Sequence, residues 1–409
     1  MRDWFRSLFL LSMVALIGLP LAAGPAREKK WYRGNTHTHT LWSDGDAAPE
    51  FVADWYKSHG YHFLVLSDHN VLAEGEKWKP IGTGKSDMRQ ESLDKLIARF
   101  GKDRVELRQA GGRTEMKLRT LEDVRAQFEE RDAFLFIKGE EITDKFEKLP
   151  IHHNSINHAN LIKPPGGDSV RDVLEKTLRA VEEEARKCGR PVLVHLNHPN
   201  FGWGVSADDV AHVLGERFFE VYNGHRGVRN YGDKDHKSTE QLWDYVLTLR
   251  LGKLGGEPLL ALAVDDAHHY LKENVVANPG RGWIWVRADA LTPDAITRAM
   301  LAGDFYSSSG VALDEIVSDK SSLTVKVKAQ EGVAYKTVFR GTRVRDNRAG
   351  EPGEVLAEVE GRAATYSIKG DELYVRATVV SSRKHPNGYA PEDFESAWTQ
   401  PVVVRRLAR

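Results

Sequence analysis

Cysteine is all but missing from this chain. There is one, Cys188, in 409 residues, so no internal disulfide braces the fold. It follows the polar helical stretch 182–187 and reads as an incidental thiol rather than a ligand or nucleophile. An excess of one charge is missing too: Lys+Arg number 58 and Asp+Glu 59, which argues against a nucleic-acid partner held by a basic field. There is no Gly-x-Ser-x-Gly elbow and no Cys/His pair that would mark a nucleophilic side chain. Tandem repeats and low-complexity linkers are also absent.

Long apolar runs are confined to the start. Residues 8–21 are largely apolar behind Arg2 and Arg6, and Ala22, Ala23 and Gly24 precede the charged Arg27-Glu28-Lys29-Lys30. That order is the pattern of a cleaved export signal over 1–26, with a retained N-terminal anchor as the alternative. The run is short for a spanning helix, which takes about 20 apolar residues. No cysteine follows it to carry a lipid. The expectation is a periplasmic or secreted protein without stable membrane insertion after cleavage.

What is present is a core and an excess of histidine. At 41% hydrophobic the chain can bury a full interior, divided into more than one domain. After the signal, strand and helix patterns alternate: a helix from Pro49 to about Gly60, a strand over 61–66, helical spacing at 91–100 and 121–130, and a strand over 133–138. The polar stretch 74–112 reads as an insertion over the strand ends. A charged helix (170–187), a strand (191–196), a helix capped by Ser206, a strand (217–221), a helix (238–251), strands at 258–264 and 282–287, and a helix from Thr292 follow. Such β-α units imply a mostly parallel sheet with ligands at the carboxyl ends of its strands; seven or eight suggest a closed barrel. Beyond about 311 the period becomes two, as in Ser322-Leu323-Thr324-Val325-Lys326-Val327, which reads as a small antiparallel β domain, sandwich-like, over 311–409.

The sixteen histidines are not scattered evenly. His37 and His39, in Asn35-Thr36-His37-Thr38-His39-Thr40, stand one residue apart at the end of an expected strand. Residues i and i+2 of a strand share a face, so both imidazoles can address one metal ion. Asp44 follows in Trp42-Ser43-Asp44-Gly45. The pattern recurs at later strand ends: Asp68-His69-Asn70, then Gly139-Glu140-Glu141, then Ile151-His152-His153-Asn154, then His195-Leu196-Asn197-His198-Pro199-Asn200, and Asp265-Asp266-Ala267-His268-His269. Imidazoles and carboxylates crowded at one end of a barrel are costly unless paired or bound to metal.

As a set, these motifs resemble the polymerase and histidinol phosphatase (PHP) superfamily of metal-dependent phosphoesterases over roughly residues 31–310, within a barrel domain expected over 27–310. The resemblance implies a distorted (β/α)7 barrel and a nine-ligand site carried over as His37, His39, Asp44, His69, Glu141, His152, His198, Asp266 and His268. It implies two or three divalent ions, with Glu141 as a bridge. Glu140 could replace Glu141, and His153 or His158 could replace His152, which is preferred. Asp68 and Asp265 are expected to accept hydrogen bonds from ligating imidazoles, and His195 to be a core or supporting histidine.

Mixed imidazole and carboxylate donors suit manganese, zinc or iron. Such ions lower the pKa of a bound water towards about 7, giving hydroxide at neutral pH. Asp68, His225 and Arg226 are the further catalytic candidates, the last two placed to reach a phosphate at the end of another strand. Asn200, Trp203 and Tyr222 are pocket candidates. The expected partner is a small phosphomonoester or phosphodiester. Hydrolysis of carbamate or carboxyl esters, for which Trp203 and Trp243 would suit an apolar substrate, is the alternative. A non-catalytic secreted binding protein is the third reading.

Overall fold

The computed structural model describes residues 28–407, so the export signal expected over 1–26 lies outside the described residues. Seven strands frame the region of interest: β1 (Lys30–Asn35), β2 (Phe63–Leu66), β3 (Leu135–Phe146), β4 (Leu149–Ile156), β5 (Leu193–Leu196), β6 (Phe218–Asn223) and β7 (Leu260–Val264). β1, β2 and β3 run parallel to one another, as do β5, β6 and β7. Every residue of β2, β6 and β7 is buried, as in strands covered on both faces. Past β7 the chain returns to its start, where Ala267 bridges Thr38. The His39 N–H donates to the Ala267 carbonyl and the Asp266 N–H to the His37 carbonyl, both at 3.0 Å. The strand ends that carry the candidate residues therefore meet at one rim.

The helices Pro49–Ser58, Val170–Cys188, Ala207–His212, Thr239–Leu249 and Pro293–Leu301 alternate with these strands, giving a mixed α/β fold. Their starts are chemically marked. Ser169, Ser206, Ser238 and Thr292 each accept the backbone N–H three residues on, satisfying donors that the first helical turn leaves open. Gly189, at φ 66°, ends the helix Val170–Cys188 in the left-handed region.

One stretch departs from the expected repeat. β3 and β4 form an antiparallel hairpin, Gly139 opposite Ile156 and Phe146 opposite Leu149, and β4 runs antiparallel to β5. The parallel runs β1–β3 and β5–β7 are thus joined through an antiparallel stretch. A parallel crossover needs a dozen or more residues, whereas only Glu147 and Lys148 separate β3 from β4, with Glu147 at φ 53°.

The stretch expected as an insertion carries the helix Gln90–Phe100 and a separate three-stranded sheet of Trp78–Pro80, Leu107–Ala110 and Arg113–Lys117. Its Lys79 donates to the Ser43 carbonyl at 3.0 Å, beside Asp44. After β7, β8 (Trp283–Ala288) pairs with β1, and β9 (Phe305–Ser308) pairs with β8. The sheet then continues through Phe394–Trp398 and Glu372–Lys384 to Tyr335–Arg345. A three-stranded sheet of Leu313–Ser318, Ser322–Val327 and Ala363–Ser367 packs against it across Leu323, Val325, Phe339, Tyr366, Val375 and Val379. Buried Arg376 ties these strands to the helix Thr239–Leu249, forking onto Asp244 at 2.7 and 2.6 Å. Among the described residues no helix is long and apolar enough to cross a membrane.

Glu50, in the first turn of Pro49–Ser58, is buried with its Oε2 unpartnered. Burial pushes its carboxyl up from about 4.5 to about 7. Between those values the folded chain binds the proton better than the unfolded one, so stability falls as pH rises through that window. Glu50→Gln is expected to raise Tm by a few degrees at pH 8, with the gain vanishing near pH 4.5. A thermal-melt series across pH checks it, and a pH-independent gain would assign the effect to packing.

Candidate metal centre

The rim gathers all nine residues. Those just past β1 (His37, His39), the turn that follows (Asp44), the loop after β2 (His69), the body of β3 (Glu141) and of β4 (His152), and the loops after β5 (His198) and β7 (Asp266, His268) supply them. They fall into four overlapping groups: His39/Asp44/His69/His268, His37/His198/Asp266, His37/His39/Glu141, and His69/Glu141/His152. Within each group the donor atoms lie within 4.8 Å of one another. The Glu141 Oε2 lies 3.4, 3.3 and 2.8 Å from ring nitrogens of His37, His39 and His69. Its Oε1 lies 2.9 Å from His152 and 3.4 Å from His198. The Asp266 Oδ1 stands 3.3 Å from His37 and 3.2 Å from His39. Asp44 closes the open side, 3.6 Å from His69 and 3.4 Å from His268.

Convergence of donors is not yet a metal site; the unsatisfied atoms decide that it can be one. The Nε2 atoms of His37 and His39 and the Oε2 of Glu141 are buried and make no hydrogen bond, although they face one another at 3.3–3.4 Å. Buried polar atoms in folded proteins are nearly always paired. Three left unpaired around one point have the chemistry of cation ligands, and imidazole with carboxylate is the donor mix of divalent transition metals. The backbone is held for this purpose as well: His198 and Asp266 sit at φ 21° and 48°, where non-glycine residues are strained.

The electrostatics agree. Burial alone would push His37 down, but Asp266, Glu220 and Glu141 hold it well above its ordinary value. Burial works against His69 too, and Glu141 with Asp44 lifts it to about 9. His39 goes the other way, lowered to about 3 by burial and by its neighbours His268 and His69. Glu141 and Asp266 stay ionised far below the usual range despite burial, because imidazoles surround them.

The alternatives left open at the level of motifs fall on other faces. Glu140 turns away and accepts the Ile162 N–H at 2.7 Å. His153 pairs with Glu216 at 2.9 Å, and the His158 Nδ1 donates to the Asn160 carbonyl at 2.8 Å. His195 is buried with both ring nitrogens unpartnered, 3.7 Å from Glu220.

Several supporting roles need correction. Asp68 forms no hydrogen bond or ion pair with any of the candidate imidazoles among the described residues. Its carboxylate accepts the Thr40 and Ser43 N–H groups and both hydroxyls, fixing the turn that presents His39 and Asp44. Asp265 likewise accepts the N–H groups of 280–282 and the Tyr56 hydroxyl. The carboxylate that does orient a ligand is Glu220, mid-strand in β6, which holds the His37 Nδ1 at 2.6 Å and the His198 N–H at 2.8 Å. A carboxylate inside the otherwise apolar run Phe218-Phe219-Glu220-Val221 was the signal for it. Thr143 plays a similar part for His69 at 2.5 Å.

Arg226 is not free to reach a substrate: its guanidinium donates to the carbonyls of Asn274 and Gly388 at 3.1 Å. His225 does face the centre, its ring 5.6 Å from that of His268. Tyr222 is buried against Trp398. Trp243 lies in the core, and Trp203 stacks on His236 at 3.9 Å. Asn200 bonds to the carbonyls of Arg229 and Lys237. Cys188 is a half-buried free thiol at the end of its helix.

No family model and no curated protein matches the chain, while twelve chains of known structure do. The chain is similar in structure to PHP-like metal-dependent phosphoesterases. One is a two-domain protein containing a predicted PHP-like metal-dependent phosphoesterase from Bacteroides vulgatus, 14% identical, covering 91% of this chain and 95% of its own, at a TM-score of 0.39. A candidate metal-dependent phosphoesterase from Bifidobacterium adolescentis is 12% identical over 60% of this chain and 92% of its own, TM-score 0.32. An amidohydrolase from Chromobacterium violaceum is 13% identical over 58% and 87%, TM-score 0.28. At such values the side chains, not the likeness, carry the functional reading.

Metal ligands must shed their protons to bind. Loading manganese or zinc at pH 7 is therefore expected to release protons, chiefly from His37 and His69, with apparent affinity rising from pH 6 to 8. Calorimetry in two buffers of different ionisation enthalpy measures this; identical heats in both would contradict it. Glu220→Gln is expected to weaken metal binding about 10- to 100-fold, read by competition with a chelator.

Proposed function

We propose that this chain is an exported, PHP-type metal-dependent hydrolase of phosphoester bonds, its barrel over 27–310 and a sandwich-like domain over 311–409. The observation that carries the reading is the set of unpartnered buried atoms on His37, His39 and Glu141, ringed by six more donor residues. Two or three divalent ions would be held, one by His37, His198 and Asp266, one by His39, Asp44, His69 and His268, with Glu141 and His152 between. Bound there, they would supply Lewis acidity, ionising a water and offsetting charge on the phosphoryl oxygens.

The chain's own residues prepare that chemistry. Glu220 accepts the hydrogen bond of the His37 Nδ1–H and so turns Nε2 towards the centre. Asp266, whose backbone carbonyl lies 2.9 Å from the His268 Nδ1, does the same for that ring. His225 is the residue placed to touch substrate. Burial lowers it, with His268 opposing charge and Asp266 favouring it, so the ring is neutral at pH 7. Its Nδ1 accepts the Gly227 N–H at 3.0 Å, which leaves the proton on Nε2 as a donor to a phosphoryl oxygen. Support for the carboxyl-ester alternative shrinks, because Trp243 is in the core and Trp203 is stacked elsewhere.

A panel of phosphomonoester, phosphodiester and aryl carboxyl ester, run with added manganese or zinc, tests the reading. A phosphoester is expected to be the best substrate. Glu141→Gln is expected to lower kcat at least about 100-fold with loss of bound metal. His225→Ala should lower kcat/KM about 10- to 100-fold with metal retained by elemental analysis. Preference for the carboxyl ester, or no turnover by the loaded protein, overturns the proposal.

A further inference from the structure

The turn after β5 leaves a phenyl ring at the mouth of the centre. Phe201 is 36% exposed, yet its ring centroid lies 5.2 Å from that of His198 and 6.1 Å from that of His152. Folding ordinarily gains by burying such a ring. Its exposed part lies beside two candidate ligands, where a planar group of the substrate could meet it.

The turn that holds it is rigid. Gly202 and Trp203 both take left-handed backbone, φ 57° and 54°, a strain that for a tryptophan persists only where surroundings impose it. They do. The Asn200 amide donates to the carbonyls of Arg229 and Lys237 at 3.1 and 3.0 Å. Trp203 stacks on His236 at 3.9 Å and 7°, with the Arg229 guanidinium 4.8 Å from its ring. Gly204 lies so close to the start of β4 that an added Cβ would stand 2.0 Å from the Pro150 carbonyl oxygen. Of the two aromatic residues in this turn, Trp203 is used to fix the loop and Phe201 is presented.

Resting on the phosphoesterase reading, we propose that Phe201 is a stacking platform for a planar ring in the alcohol portion of the substrate, so that the enzyme acts on phosphate esters of ring-bearing alcohols rather than small aliphatic ones. Aromatic pairs at centroid separations of 4.5–7 Å attract in offset or edge-to-face geometry. A ring already fixed in place loses little freedom on binding.

The test separates binding from turnover. Benzylphosphonate and ethylphosphonate, which cannot be hydrolysed, are titrated into manganese-loaded protein by calorimetry, and benzyl phosphate and ethyl phosphate are compared as substrates. The expected result is a benzyl-over-ethyl preference of about tenfold or more in both Kd and kcat/KM. That preference should fall about tenfold in Phe201→Ala and in Phe201→Leu and persist in Phe201→Trp, with metal content at the wild-type level in Phe201→Leu. Equal affinity for the two phosphonates, or a preference that survives Phe201→Leu, overturns the inference even if both esters turn over. A phosphonate preference without turnover of either ester supports the ring site while sinking the phosphoesterase reading.

Discussion

Burying Glu141 and Asp266, 1% and 4% exposed, is tolerable only if positive charge is buried with them. Glu220, wholly buried nearby, satisfies itself on His37, the His198 N–H and the Asn223 amide. Glu141 does not. One of its oxygens accepts from Asn197 at 3.0 Å, while the other has imidazoles around it and no hydrogen bond. A carboxylate with one oxygen anchored and one free is shaped to bridge. The same carboxylates raise His37, His69, His198 and His268 towards their protonated forms; a divalent cation would supply more charge in less space and let these rings act as neutral donors.

The rim that holds this charge is not built by the barrel strands alone. Arg281 is wholly buried and donates to the carbonyls of Gly224, Val275 and Val276 at 2.6–2.8 Å and to Asn387 at 2.9 Å. Arg226 ties Asn274 to Gly388. The loops bearing His225 and following His268 are thus pinned to a turn more than a hundred residues further along the chain. The C-terminal strands contribute no candidate ligand, yet they brace the side of the centre on which substrate would sit. This gives Arg226 a definite role that differs from the one expected of it.

Five of the nine residues at the rim stand in short motifs, His-x-His, Gly-x-Glu and Asp-x-His, each complete within three residues; that these and the other four form one set was implied by the resemblance to the PHP superfamily. Alternation along β3 shows that Glu140 and Glu141 face opposite ways but not which of them faces the rim; the preference for Glu141 came from the family's Gly-x-Glu. What stayed hidden was whatever depends on pairing between distant segments. The β3–β4 hairpin was concealed by a polar two-residue turn. The apolar run around Glu220 marked it as unusual, but its role stayed hidden because its partner imidazole is 183 positions away. Arg226 looked available because nothing local reveals that two remote carbonyls occupy it. Trp203 drew notice by size, although its neighbour Phe201 is the ring beside the ligands.

Exposure across the nine residues is graded, and the gradient has a consequence. His37, His198 and Asp266 are all buried, whereas in the group His39, Asp44, His69 and His268 only His39 is, and the Asp44 side chain is 57% exposed. Ligands sunk in the protein can hold an ion tightly but leave it no open coordination for a reactant. Ligands at the surface bind less firmly but meet solvent directly. A centre spanning both regimes places retention at its floor and exchange at its mouth. Glu141 and His152 connect the two, and Phe201, against His152 and His198 on the open side, stands where an arriving ester would first be met.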